Sequence, residues 1–103
     1  MTNDQIEEGN KNIFQFIKSE TGSGAEIPPY HSDWNALMKA VQLIQASGYR
    51  FYLDSHEESI TAKFTDMGIP SKPIVEIVSR NSNMDAVWNV CVVFVKWHKS
   101  QPK

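Results

Sequence analysis

The chain is nearly devoid of cysteine. Its 103 residues include one, Cys91, so no intramolecular disulfide can form, and a reducing compartment is expected. It has no excess charge of either sign: 10 Lys and Arg stand against 12 Asp and Glu. Duplex-binding proteins displace counterions with clustered cations, and a formal net charge of −2 argues against nucleic acid as a partner. Long apolar runs are missing too. The longest, Val90–Val95, falls far short of the ~18 residues that span a bilayer, so no membrane association is expected. The first residues, Met1–Glu8, contain no basic region followed by an apolar stretch, as a signal peptide would. No repeat or low-complexity segment occurs. Together these features point to the cytoplasm.

What is present suits one packed domain over residues 1–103. The hydrophobic fraction of 41% and the aromatic fraction of 11% exceed what a disordered chain carries. Residues 2–19 read as a helix in which Thr2 and Gln5 have capping-box spacing and Ile6, Ile13, Phe14 and Ile17 share a face. The polar stretch Glu7–Asn12, with Gly9 inside it, leaves open whether this helix starts at its first residues or near Asn10–Asn12. Gly22–Ser23–Gly24 and Pro28–Pro29 then impose a loop. Ser32 is a suitable N-cap for a second helix. Its stripe is Trp34, Leu37, Met38, Val41 and Ile44, and Gly48 ends it.

Alternation then marks strands at Tyr49–Asp54 and Ser59–Phe64, joined as a hairpin through Ser55–Glu58, and a third at Pro73–Ser79 after a loop over Thr65–Lys72. Arg80–Asn83 turns the chain into a last helix, Met84–Lys99. Its many valines would suit a strand, but its length without a turn signal decides for helix. Val87, Val90, Cys91, Phe94 and Trp97 make its main stripe. Trp88, Val92 and Val95 lie off it, so the helix needs cover on two sides, from another helix or another subunit. The order α-α-β-β-β-α predicts an α+β fold with a three-stranded, mainly antiparallel sheet packed by helices. The polar positions Arg50, Tyr52, Asp54, Thr61 and Lys63 predict a sheet face that stays partly open or meets another subunit.

The segment Tyr30-His31-Ser32-Asp33-Trp34-Asn35-Ala36-Leu37-Met38, followed by Gly48-Tyr49-Arg50-Phe51, resembles the helix-to-strand core of the phage ABA-sandwich domain family. The close, Asp85-Ala86-Val87-Trp88 through Phe94-Val95-Lys96-Trp97-His98, is similar to that family's last helix, and Asn12–Ile17 to its first. The likeness covers most of residues 12–99. The loops at 22–29 and 65–72 have no counterpart in it. The resemblance implies a sheet flanked by helices on both faces and an origin in a phage or prophage, notably of gut Bacteroidetes. It offers no catalytic residue to transfer.

Chemistry-bearing residues read mostly as structure. His31-Ser32-Asp33 holds the residue types of a hydrolase triad, but adjacent residues do not converge as a triad does, and a helix cap accounts for them. Asp54, His56, Glu57 and Glu58 lack the glycine of a tight cation loop and read as a solvated turn. Cys91 lies within the most apolar segment and reads as core. Gly22–Ser23–Gly24 follows a helix rather than a strand, so it is no phosphate loop.

The leading expectation is a small phage or prophage accessory protein in the host cytoplasm that binds another protein or associates with itself as a homodimer, with no catalytic residue, cofactor or metal. Trp88, Val92 and Val95, or Met67 and Ile69 in the loop, are its candidate contacts. A small-ligand or nucleotide binder is the alternative, with a pocket beside a helix start such as Ser32–Trp34. An enzyme would need two of His31, Asp54, His56 and Glu57 in one cleft. A single-strand binder would need Arg50, Tyr52 and Lys63 on one sheet face.

Overall fold

A computed structural model describes the backbone of residues 3–21, 27, 29–66 and 69–100, and the side chains of all of these except 18–21 and 69–72. The element order is α1 (Asn3–Thr21), α2 (Trp34–Ala46), β1 (Tyr49–Ser55), β2 (Ile60–Asp66), β3 (Ile69–Ser79) and α3 (Asn83–Ser100). The expected α+β fold is therefore present, with an antiparallel sheet in the order β1-β2-β3.

α1 is one continuous helix from Asn3, so the polar stretch around Gly9 does not delay its start. The Thr2 half of the expected capping box lies outside the described residues. Gly9 permits a close helix crossing. A Cβ built there would sit 2.5 Å from Cζ2 of Trp88 and 3.0 Å from Cγ2 of Val92 on α3. α1 thereby supplies the second side of cover that the apolar circumference of α3 requires.

α2 is capped by Asp33, not Ser32. The Asp33 carboxylate accepts from the Ala36 N–H at 3.2 Å, while the Ser32 hydroxyl turns back to the Pro29 carbonyl at 3.4 Å. Either residue type can cap, and the tight turn over Pro29–Asp33 selects the later one: the Pro29 carbonyl also accepts from the N–H groups of Ser32 and Asp33. Gly48, at φ +108°, closes α2 in the left-handed region as its position suggested and turns the chain straight into β1.

β2 runs through Asp66, and β3 begins at Ile69. The loop expected over Thr65–Lys72 is thus largely strand, with a register irregularity between Phe64 and Asp66 where β2 meets Pro73. Within sheets proline is confined to edge strands and bulges, and Pro73 stands at both.

α3 packs on all three strands and α2 on β1. The core joins Ile13 and Phe16 of α1, Leu37, Val41 and Ile44 of α2, Ala62 and Phe64 of β2, Val75 of β3, and Val87, Val90, Cys91, Phe94 and Val95 of α3. Phe94 is its hub. Its ring meets Phe64 at 5.0 Å, Tyr49 at 4.9 Å, Phe16 at 5.8 Å and Trp97 at 5.8 Å between centroids.

The described helices lie on one face of the sheet. On the other, Arg50, Tyr52, Asp54, Glu76 and Val78 are exposed. The helices on both faces that the family resemblance implies are not found among the described residues, and the open face expected from strand polarity is.

Candidate functional site

The open sheet face is the most distinctive surface of the molecule. Alternation along the strands puts Phe51, Phe64 and Val75 toward α3 and Arg50, Tyr52, Asp54, Glu76 and Val78 outward, while Thr65, at the register irregularity, is fully buried. The register aligns Tyr52 with Lys63 and Lys63 with Glu76, so an aromatic ring, a cation and an anion stand in one row across the sheet. Lys63 Nζ lies 5.5 Å from the centre of the Tyr52 ring. A second row runs Asp54, Thr61, Val78. Val78 at 61% and Tyr52 at 39% exposure are large apolar groups set among charges. This composition matches the amphipathic contact surface of protein interfaces.

The register also brings Arg50, Tyr52 and Lys63 onto that one face, the condition set for a single-strand binder. Asp54 and Glu76 share the face, so among the described side chains its two cations meet two anions and form no basic track.

The contacts expected on α3 are inside the protein. Trp88 is 3% exposed and Val95 1%, and Val92 is half-buried against α1. The spacing that put Trp88 off the main stripe was correct, but what covers that side is α1 and not a partner. The reverse holds for Trp34. Core packing was expected for it, yet it opens α2 with 39% of its surface exposed. Met67 lies outside the described residues. The backbone of Ile69 pairs with Asp66 in β3, and its side chain is not among those described.

Of the residues that an enzyme would require, Asp54 and His56 are adjacent, with Nε2 of His56 3.1 Å from Oδ2 of Asp54, on a turn where both side chains are about two-thirds exposed. Neither lines the clefts beside α1 and α3. His31 sits elsewhere, its Nδ1 2.9 Å from Nδ2 of Asn10. Cys91 is fully buried, and desolvation pushes its thiol well above the ordinary range, so it carries no thiolate to attack with. No group of three His, Cys, Asp or Glu that could hold a metal occurs among the described residues. Gly22–Ser23–Gly24 lies outside them.

A cleft of about 300 Å³ opens at the start of α3, lined by Ile6, His31, Asn81, Ser82, Met84, Asp85 and Trp88. This cleft is beside a helix start, but at α3, and its lining does not include Ser32 or Trp34. A side-chain cap and a carboxylate already occupy this helix start. Ser82 Oγ accepts from the Asp85 N–H at 3.1 Å, and Asp85 Oδ2 accepts from Ser79 Oγ at 2.7 Å and from Asn81 Nδ2 at 3.4 Å. A carboxylate in the first turn offsets the dipole that would draw a phosphate. A second cleft, about 380 Å³, lies between α1 and the stretch before α2, lined by Glu7, Asn10, Lys11, Ile27 and Pro29.

No family model matches this chain, and no curated protein or solved structure matches it either. No helix among the described residues is long and apolar enough to cross a membrane.

Proposed function

We propose that this is a small accessory protein of a phage or prophage, working in the host cytoplasm by binding another protein through the open face of its sheet and not by catalysis. The observation that carries the reading is the Tyr52–Lys63–Glu76 row beside exposed Val78, on a face that no described helix covers. A lone sheet face normally hides its apolar groups or packs them. Here Val78 and Tyr52 stand partly in solvent among charged residues, as the centre and rim of a contact surface do. The phage setting rests on the family resemblance of the helix-to-strand core.

The test is native mass spectrometry of the protein drawn gently from host-cell lysate, alongside the variants Val78→Asp and Lys63→Glu. The expected outcome is a stoichiometric protein adduct that both variants lose while their melting temperatures stay within a few degrees of the parent. An adduct that survives both changes rules out the face. A small-molecule adduct in its place moves the assignment to a ligand binder, with the cleft at Met84 and Trp88 as its first address.

A further inference from the structure

We propose that a second copy of this chain docks on the free edge of β1, joining the two sheets into one of six strands. The two outer edges of the sheet differ. β3 carries Pro70 and Pro73, and proline on an edge strand disfavours the addition of a further one. β1 is the opposite edge and has no proline in Tyr49–Ser55. Its middle is open on both sides. Tyr52, on the outer face, and Leu53, on the helix-bearing face, are 39% and 37% exposed.

The occupant follows from the sequence of that edge. Arg50-Phe51-Tyr52-Leu53-Asp54 is symmetric in apolarity and opposite in charge about Tyr52. Lay a second β1 antiparallel, with a two-fold axis through Tyr52. Each Arg50 then faces the Asp54 of the other copy, each Phe51 faces a Leu53, and the two tyrosines meet at the axis. The charge pairing occurs twice, as an isologous interface demands. Opposite charges directly across a strand pair attract, and aromatic–aliphatic pairs add to them.

The register is selective. A shift by one residue sets outward side chains opposite inward ones and is excluded by the pleat. A shift by two keeps the faces but separates Arg50 from Asp54 and shortens the overlap. The register centred on Tyr52 pairs the whole of β1. It also extends the Tyr52–Lys63–Glu76 row across both copies. This inference shares Tyr52 with the protein-binding reading but rests on the β1 edge, whereas that reading is tested at Lys63 and Val78.

The test is sedimentation equilibrium of the full chain over micromolar to millimolar concentration, with Arg50→Asp, Asp54→Arg and the double exchange. The parent is expected to dimerise. Each single reversal places like charges opposite one another twice and weakens the dimer by about tenfold or more, and the double exchange restores it. Circular dichroism checks that each variant is folded. Independently, Tyr52→Cys is expected to cross-link two copies under mild oxidation, while Val78→Cys, distant from the axis, is not. A parent that stays monomeric throughout overturns the proposal. So does a dimer indifferent to the single reversals, or one that the double exchange fails to restore. Loss of the lysate adduct with dimerisation intact would sink only the sheet-face reading.

Discussion

The indole N–H of Trp88 on α3 donates to Oδ1 of Asn10 on α1 at 2.8 Å. Indole only donates, so this bond fixes the Asn10 amide, with Oδ1 toward Trp88 and the NH₂ toward His31. Nδ2 of Asn10 then donates to Nδ1 of His31 at 2.9 Å, which assigns the proton of neutral His31 to Nε2. Three residues far apart in sequence thus close a polar chain beside the core. Asn10 is 7% exposed, and a buried amide of this kind is tolerated because its partners are in place.

Breaking the chain at its centre leaves the indole donor buried and unpaired. Asn10→Leu is expected to cost about 1–3 kcal/mol in urea unfolding. Trp88→Phe removes the donor and part of the ring volume. Together the two changes should cost less than the sum of the singles, by at least about 0.5 kcal/mol, because the second removes what the first orphaned. Strict additivity would mean that the bond contributes nothing.

Gly9 is where helix propensity and packing conflict. In an exposed helix interior, Gly→Ala stabilises by about 1 kcal/mol. At Gly9 the new methyl would meet the Trp88 ring at 2.5 and 2.7 Å, far inside contact distance. Gly9→Ala is therefore expected to destabilise by about 1–3 kcal/mol, the cost of overpacking. A thermal melt that rises instead would show that α1 lifts off α3 freely.

Thr65 is fully buried, and its Oγ1 has no hydrogen-bond partner among the described residues. Replacing a buried, unpaired hydroxyl by a methyl of the same shape removes a desolvation cost. Thr65→Val should raise stability by about 1 kcal/mol, read as a higher denaturation midpoint at unchanged m-value.

Alkaline pH should weaken the fold through two groups. Burial raises the Cys91 thiol above its ordinary 9.0 and pushes the Tyr30 hydroxyl from 10.0 up to about 12. Both are held neutral in the folded chain and ionise more easily when it unfolds. Their contribution is complete below the ordinary values and is lost as pH climbs toward the raised ones. The melting temperature is expected to fall from about pH 9 upward. Tyr30→Phe should flatten the part of that slope between 10 and 12. Cys91 should resist thiol reagents until the protein unfolds.

Trp88→Ser, a natural probe for an interface tryptophan, is expected to cost about 3–5 kcal/mol and to unfold much of the population. Far-ultraviolet circular dichroism at ambient temperature distinguishes this from loss of a surface contact. A folded Trp88→Ser protein would contradict the burial of that ring.

Much of this molecule is legible along the chain. Helical stripes, strand alternation, the glycine after α2 and the turn before α3 are local signals, set by side chains within a few residues of one another, and they yield the element order and the α+β class. The burial of Cys91 and the outward row containing Arg50 and Tyr52 follow from the same periodicities. Periodicity says which face of a helix is apolar but not what lies against it. That is why the pattern leaves Trp88 open as a candidate contact and assigns Trp34 to the core, whereas the structure buries the first and exposes much of the second. Gly9 and Asn10 interrupt an amphipathic pattern and only make sense opposite Trp88, some 78 residues from Asn10. The pairing of Lys63 with both Tyr52 and Glu76, and the contrast between a proline-guarded and an open sheet edge, depend on strand order and register. The sequence by itself determined the elements and their apolar faces, because those are short-range consequences of side-chain chemistry. Only the tertiary structure decided which faces met each other and which were left to solvent, because that choice is made by contacts between segments distant in the chain.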